Sequence, residues 1–255
     1  MITVANEKGG VGKSTVAFHL SVALASRGMQ VAAIDLDRRQ QTLSRVLTNR
    51  GGTARRLGIG LPQPRHQLLG QHSGSMLCQE ISRIGWDCDY VVIDAAGYDS
   101  GIARRAVALA DTLITPVNGS FVDLDLLGRF HPADDRLLGP GCFAETVLEI
   151  RTARLEAGHT DFDWMVLQNR KRIDTSHNRD SVDRALVRMA ERFGFRLGTG
   201  LAERVAYREL FQLGLTHFDL KLIPKFARRQ SAANGELLHL IEELGLEQNK
   251  VVAIA

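Results

Sequence analysis

A doubly wound α/β fold, with a mostly parallel sheet flanked by helices, is what this 255-residue chain predicts. Three observations carry the prediction. Short continuous apolar runs alternate with helical patterns along the chain, as buried parallel strands joined by helices require. The first run, residues 2–5, leads straight into Lys8-Gly9-Gly10-Val11-Gly12-Lys13-Ser14-Thr15 and then into the amphipathic stretch Val16-Ala17-Phe18-His19-Leu20. Two later runs end on carboxylates, at Asp35-Leu36-Asp37 and at Asp94, where a strand leaves the core.

In chain order, the apolar and often β-branched runs at residues 2–5, 31–36, 90–93, 112–117, 164–167 and 219–223 are expected as strands. Helical patterns between them fall at residues 13–25, 42–49, 100–110, 180–193 and 235–244. Residues 51–74 hold six glycines and two prolines, which reads as a long surface excursion. With no internal repeat and no linker, residues 1–255 are expected to form one domain.

Composition is that of a soluble protein, 44% apolar and 24% charged. No apolar run approaches the roughly 18 residues that cross a bilayer. The first apolar stretch feeds the glycine loop, so it is expected as a core strand and not a signal peptide. Cys78, Cys88 and Cys142 are scattered, which suggests reduced thiols in a cytosolic protein and neither a disulfide framework nor a zinc site. The net charge of +3 is unevenly spread. Residues 38–65 contain seven arginines and no acid, and residues 170–209 contain ten Lys/Arg against six Asp/Glu. Such patches suit a phosphate backbone, or equally a solvated arginine-rich surface.

The octapeptide has the strand, loop, helix order of a phosphate-binding loop. Gly9, Gly10 and Gly12 let backbone N–H groups turn inward around phosphate oxygens, and the helix that follows presents its positive end. Gly9 to Thr15 therefore form the expected nucleotide cradle, Val11 included. Lys13 supplies charge to the β- and γ-phosphates, and the Ser14 hydroxyl is placed to ligate Mg²⁺. The usual spacing asks for glycine where Glu7 stands, and a second lysine, Lys8, opens the loop instead. Asp94 is the expected acidic partner of magnesium, and Gly97 is placed to bring an N–H near the γ-phosphate. Asp35 and Asp37 share one side of their strand. Asp37, the outer one, is the better candidate to reach the γ-phosphate region and orient a water, and it joins Ser14 and Asp94 as an expected metal residue, the alternative being that Asp35 and Asp37 cap the next turn. Lys8 is expected to cross to a partner subunit and touch its phosphates, which makes nucleotide the glue of a two-fold dimer.

On these residues the chain resembles the ParA/MinD group of deviant Walker ATPases of the P-loop NTPase fold. Within that group it is similar to the MipZ family. The stretches that carry the likeness are Asn6 to Gly10, Ile34 to Gln40, Asn118 to Asp123, Leu167 to Arg170, Gly194 to Gly198 and Tyr207 to Phe211. The resemblance implies an ATP-dependent sandwich dimer with weak ATPase activity. It implies Mg²⁺ as cofactor, non-specific binding of double-stranded DNA by the dimer, contact with the centromere-binding protein ParB and inhibition of FtsZ assembly. It makes Lys8 the signature lysine, Asp37 the acid needed for hydrolysis, and Asn169, followed by Arg170, the place of the adenine contact. A cytoplasmic, nucleoid-associated protein is implied. Ala95-Ala96 replaces the Thr-Pro common after the strand-end aspartate, a departure that bears on the hydrolysis rate.

The helix at 180–193 offers Leu186, Met189, Ala190 and Phe193 as a core stripe. Arg184, Arg188 and Arg192 recur every four residues on another face, with Arg196 and Arg204 soon after. Doubled by a two-fold axis, this row suits duplex phosphates without base readout. The competing reading pairs these arginines with Asp180, Asp183 and Glu191. A membrane partner is not expected, because the last helix carries Glu236, Glu242, Glu243 and Glu247 against Lys250 alone. An iron-protein reading fails for want of a suitably placed cysteine pair. Within the group, a partition ATPase of ParA type that drives DNA segregation is the alternative to a division-site regulator.

Overall fold

The computed structural model describes residues 1–70, 73–131, 136–169, 177–201, 210–223 and 232–246. Its first half alternates strictly: β1 (Ile2–Val4), α1 (Lys13–Ser26), β2 (Val31–Asp35), α2 (Thr42–Leu57), β3 (Arg65–Leu68), α3 (Gly74–Gly85), β4 (Tyr90–Asp94), α4 (Gly101–Ala108), β5 (Thr112–Val117). Then come α5 (Phe121–Leu124), a hairpin of β6 (Gly128–Phe130) and β7 (Leu137–Pro140), α6 (Cys142–Glu156), β8 (Asp163–Gln168), α7 (His177–Phe193) and β9 (Arg196–Gly198). A 3₁₀ helix (His217–Leu222) and α8 (Ala232–Glu243) complete the described chain.

Seven strands form one parallel sheet in the order β3-β2-β4-β1-β5-β8-β9. Its strands are apolar on both faces because helices cover both. Ile2 and Val4 of β1, Ala33 of β2, Val92 of β4 and Met165 of β8 pack with α1, α2 and α8. The alternate residues, Ile34, Ile93, Trp164 and Val166 among them, pack on the other side with α3, α4, α6 and α7. Successive strands lie on opposite sides of β1, so the order reverses there. In open α/β sheets the crevice at such a reversal, beyond the carboxyl ends of the strands, is where ligands bind.

Three expectations are corrected. The helix expected to stop at residue 49 runs on to Leu57 through Gly51 and Gly52. Each glycine costs a helix about 1 kcal/mol. The tertiary contacts of Leu43, Val46, Leu47 and fully buried Arg50 override that propensity, and the helix ends at Gly58 with φ 63°. The stretch 51–74 is therefore no plain surface excursion: it opens with the last two turns of α2, to Leu57, and contains the edge strand β3, whose Arg-His-Gln-Leu sequence hides its type. Residues 219–223 are not a strand. They belong to the 3₁₀ helix, capped reciprocally by Thr216 and Asp219, because Asp219 turns inward to meet Arg50.

All three cysteines are free. Among the described residues no helix is long and apolar enough to cross a membrane.

Candidate nucleotide-binding site

The glycine loop spans from the end of β1 to the start of α1, at the crevice. Asn6 anchors its entry: the buried amide donates to the Pro116 carbonyl at 2.8 Å and accepts from the Lys8 N–H at 3.0 Å. Val11 sinks into the core, leaving backbone as the loop's contact surface. Gly12 has φ 92° and caps α1 with no side chain, so the helix's first N–H groups stay available to an anion. Only glycine fits there, since a Cβ would stand 1.9 Å from the Asn169 amide nitrogen. That nitrogen donates to the Val11 carbonyl at 2.8 Å. Asn169, expected at the adenine, thus meets the loop itself and braces it from β8.

Lys13 is nearly buried and donates to the Lys8 carbonyl at 2.8 Å. Burial lowers its pKa, against the pull of Asp94 and then Asp37. Gly97 closes the far wall: a Cβ there would lie 3.0 Å from the Lys13 ammonium and 3.4 Å from Gly9 Cα. The backbone after β4 therefore approaches the loop as the γ-phosphate reading requires.

Strand register brings the acids together, with Asp35 on β2 directly beside Asp94 on β4. Asp94 is buried, and neither of its oxygens reaches a hydrogen-bond partner at normal geometry. Burial, and next the charge of Asp35, push its carboxyl up to about 8, while the Ser14 hydroxyl and Lys13 pull the other way. An orphaned carboxylate beside a hydroxyl and a phosphate cradle fits Mg²⁺, which takes one or two protein oxygens and completes its shell with phosphate and water. Asp35 is already engaged: it accepts from the Asp37 N–H at 2.9 Å and the Ser44 N–H at 3.0 Å, capping the turn into α2. Burial nevertheless raises its pKa. Asp37 accepts from the N–H groups of Arg39 at 3.0 Å and Gln40 at 2.9 Å through Oδ1. Asp37 thus caps a turn and still stands close enough to Lys13 and Asp94 to act on both electrostatically.

Lys8 points away from this cradle. Its ammonium forms an ion pair with Asp123 and donates to the Val122 carbonyl at 3.2 Å, both just beyond β5. Ser120 donates to the other Asp123 oxygen at 2.8 Å. Burial would raise the Asp123 pKa, but the bonds from Lys8, Ser120 and Asn118 hold it below the ordinary range. Asp123 is the residue that sequence reasoning missed. Its signal was present in Ser120-Phe-Val-Asp123, the spacing of a helix cap.

The arginine row divides. On α7, Leu186, Met189 and Phe193 are buried as expected and Arg184, Arg188 and Arg192 are exposed. Of the proposed acidic partners, Asp183 accepts from Gln168 at 2.7 Å. Arg196 forks onto Asp163 at 2.7 and 2.6 Å. Arg170 and Arg204 lie outside the described residues. In the 38–65 cluster, Arg50 is fully buried and Arg65 pairs with Asp87, while Arg38, Arg39, Arg45, Arg55 and Arg56 are exposed. The run of seven arginines in the sequence is therefore not one patch in space. Among the described residues no cluster of His, Cys, Asp and Glu suits a metal held by protein alone.

Residues 1–248 match the family model for the ATPase MipZ. An uncharacterised ATP-binding protein of Methanocaldococcus jannaschii is 31% identical over 147 residues, 48% of this chain and 56% of that protein. The ParA protein of Rhizobium radiobacter is 27% identical over 143 residues, 53% of this chain and 60% of its own. The chain thus spans little more than half the length of these relatives. Apo McdA from Cyanothece has a TM-score of 0.65 at 18% identity, covering 96% of this chain and 98% of that one. The septum site-determining protein MinD of Pyrococcus horikoshii, complexed with Mg-ADP, has a TM-score of 0.60 at 19% identity, covering 99% and 97%. At these identities the likeness is one of fold, the P-loop fold expected from the sequence.

Proposed function

The chain belongs to the MipZ family of ATPases, and from that footing we propose that it is a nucleotide-gated dimeric switch. In this reading ATP binding assembles two copies face to face, and slow hydrolysis to ADP and phosphate takes them apart. The dimer binds double-stranded DNA non-specifically through Arg184, Arg188 and Arg192. It contacts a ParB-type protein and restrains FtsZ assembly, which would place it in the cytoplasm on the nucleoid.

One observation carries the reading: the two lysines of one loop serve different places. Lys13 sits in the subunit's own cradle, and Lys8 stands outside it at the crevice mouth. The loop N–H groups and Lys13 hold the β- and γ-phosphates, Ser14 and Asp94 hold the metal, and Asp37 orients the attacking water. Magnesium, when bound, neutralises charge on the phosphate oxygens. Lys8 of one copy adds a positive charge to the other's γ-phosphate as the bond to the leaving oxygen breaks; a charge supplied in trans is worth roughly 10³–10⁵ in rate.

Light scattering with ATP, with ADP and without nucleotide tests this. Wild type should double in mass only with ATP, and Lys8→Ala should stay monomeric while still binding nucleotide. ATP-dependent dimers of Lys8→Ala would refute the role in trans.

The match to ParA supports a second reading, a partition motor that moves DNA. The two separate on output. A division regulator shortens FtsZ polymers in a sedimentation assay, whereas a motor shows strong stimulation of its ATPase by ParB and DNA together.

A further inference from the structure

Lys8 is not waiting idle at the crevice mouth. Its ammonium is held within its own subunit by two groups at once, the Asp123 carboxylate and the Val122 carbonyl. The holder is itself built. Asp123 is only 11% exposed, against 31% for Lys8. Its second oxygen is fixed by the Ser120 hydroxyl at 2.8 Å, and its own N–H donates to the Ser120 carbonyl at 2.9 Å. On the loop side, the Lys8 N–H is tied to Asn6 at 3.0 Å and the Lys8 carbonyl accepts from Lys13 at 2.8 Å. The backbone at Lys8 is therefore set by the phosphate cradle, while its side chain is set by α5.

A lysine ammonium is one point charge, and it cannot serve Asp123 and a partner's phosphates over the same path. From this exclusion we infer that Asp123 is a positioning residue that latches Lys8 in cis and so sets the protein concentration at which the ATP-bound form dimerises. The inference rests on the role in trans proposed for Lys8. It adds a threshold, and a residue that fixes that threshold.

The arithmetic follows from competition between two states. If only a fraction of subunits has Lys8 released, the apparent affinity falls by that fraction. A two-fold dimer needs both lysines, so the latch enters squared. A partly buried ion pair supported by a second hydrogen bond corresponds to a factor of about three to five per subunit. Removing the charge should then tighten the dimer about tenfold or somewhat more. Release of the Lys8 side chain should leave Lys13 in place, because Lys13 bonds the Lys8 carbonyl, which the latch does not touch.

Asp123→Asn keeps the shape and the bond to Ser120 but removes the charge. Ser120→Ala leaves the charge and removes only its support. Dimerisation is measured by light scattering against protein concentration at saturating ATP and Mg²⁺, with thermal unfolding as a check on the fold. The expected result is about a tenfold lower dimer dissociation constant for Asp123→Asn and a smaller shift in the same direction for Ser120→Ala. Asp123→Asn should change nothing in a Lys8→Ala background. An unchanged or weaker dimer for folded Asp123→Asn, with Lys8→Ala monomeric, overturns the latch and leaves the trans role standing. If Lys8→Ala dimerises as wild type does, the trans role itself fails and the latch with it. Should Asp123→Asn not fold, Asp123→Ser and Ser120→Ala carry the same comparison, and no tightening in either overturns the proposal.

Discussion

Two buried polar clusters flank α1, and they are finished to opposite degrees. Around Arg50 the two opposite charges are fully engaged. Its guanidinium reaches both oxygens of Asp219 at 2.7 Å, the Gly214 carbonyl at 2.9 Å and the Pro62 carbonyl at 2.8 Å. Asp219 is completed by the N–H and hydroxyl of Thr216 at 2.6 and 2.9 Å. Around Lys13 the accounts stay open: Asp94 is as buried as Asp219, yet neither of its oxygens has a hydrogen-bond partner at normal geometry. A closed cluster spends its charges on architecture. An open one holds them for something that arrives from solution. Burial alone does not distinguish structure from function, whereas the completeness of the hydrogen bonding does.

The sharpest way to break the contrast is to open the closed cluster. Arg50→Ala leaves the Asp219 carboxylate buried without its cation and removes three tethers between α2, the Pro62 turn and the 3₁₀ helix. The expected loss is about 3–5 kcal/mol, the usual result of breaking one side of a buried ion pair. Urea unfolding without nucleotide measures it. A loss below about 1 kcal/mol would mean that the cluster is not what holds α2 past Gly51 and Gly52.

A second break comes through pH. His19 projects from α1 toward the closed cluster, with Nδ1 2.9 Å from the Thr15 carbonyl and its ring stacked on Phe211. Burial pushes its pKa down to about 4, with the positive charge of Arg50 and the neighbouring His217 helping and Thr15 and Asp219 opposing. Because the folded pKa is depressed, the unfolded chain takes up a proton first as the solution is acidified. The stability held above the ordinary histidine value of 6.5 is therefore lost as pH falls from there to about 4. One proton over that window amounts to about 3 kcal/mol. His19→Gln should flatten this part of the stability–pH curve. An unchanged slope in that variant would show that His19 is not the group responsible.

The same contrast explains what was legible in the sequence. The open cluster sits on a contiguous motif and two strand ends, and its chemistry forces residue types: glycine at Gly12, a carboxylate at Asp94, lysine at Lys13. Strands β1, β2, β4, β5 and β8 were readable because burial on both faces gives unbroken apolar runs. The closed cluster joins Arg50 to Asp219 across 169 residues, and nothing local marks either one. Arg50 read as one arginine in a basic run, and Asp219 as the start of an apolar strand. Edge strand β3 was hidden because an edge needs no apolar pattern. Asp123 was hidden because its partner, Lys8, lies across the crevice mouth on another loop.

The smallest stability effect expected is also the most telling. Asp94→Ala removes a buried carboxyl that has no hydrogen-bond partner at normal geometry and whose desolvation Ser14 and Lys13 offset only in part. In the absence of nucleotide the variant should be as stable as wild type, or up to about 2 kcal/mol more stable. The loss should appear elsewhere: adding ATP and Mg²⁺ raises the melting temperature of wild type by mass action and should no longer do so in Asp94→Ala. A buried acidic group whose removal leaves the fold intact but cancels the ligand's stabilisation is one kept for the ligand. If Asp94→Ala instead destabilises the nucleotide-free protein as Arg50→Ala does, then Asp94 is as much architecture as Asp219, and the distinction between the two clusters fails at the residue on which it depends.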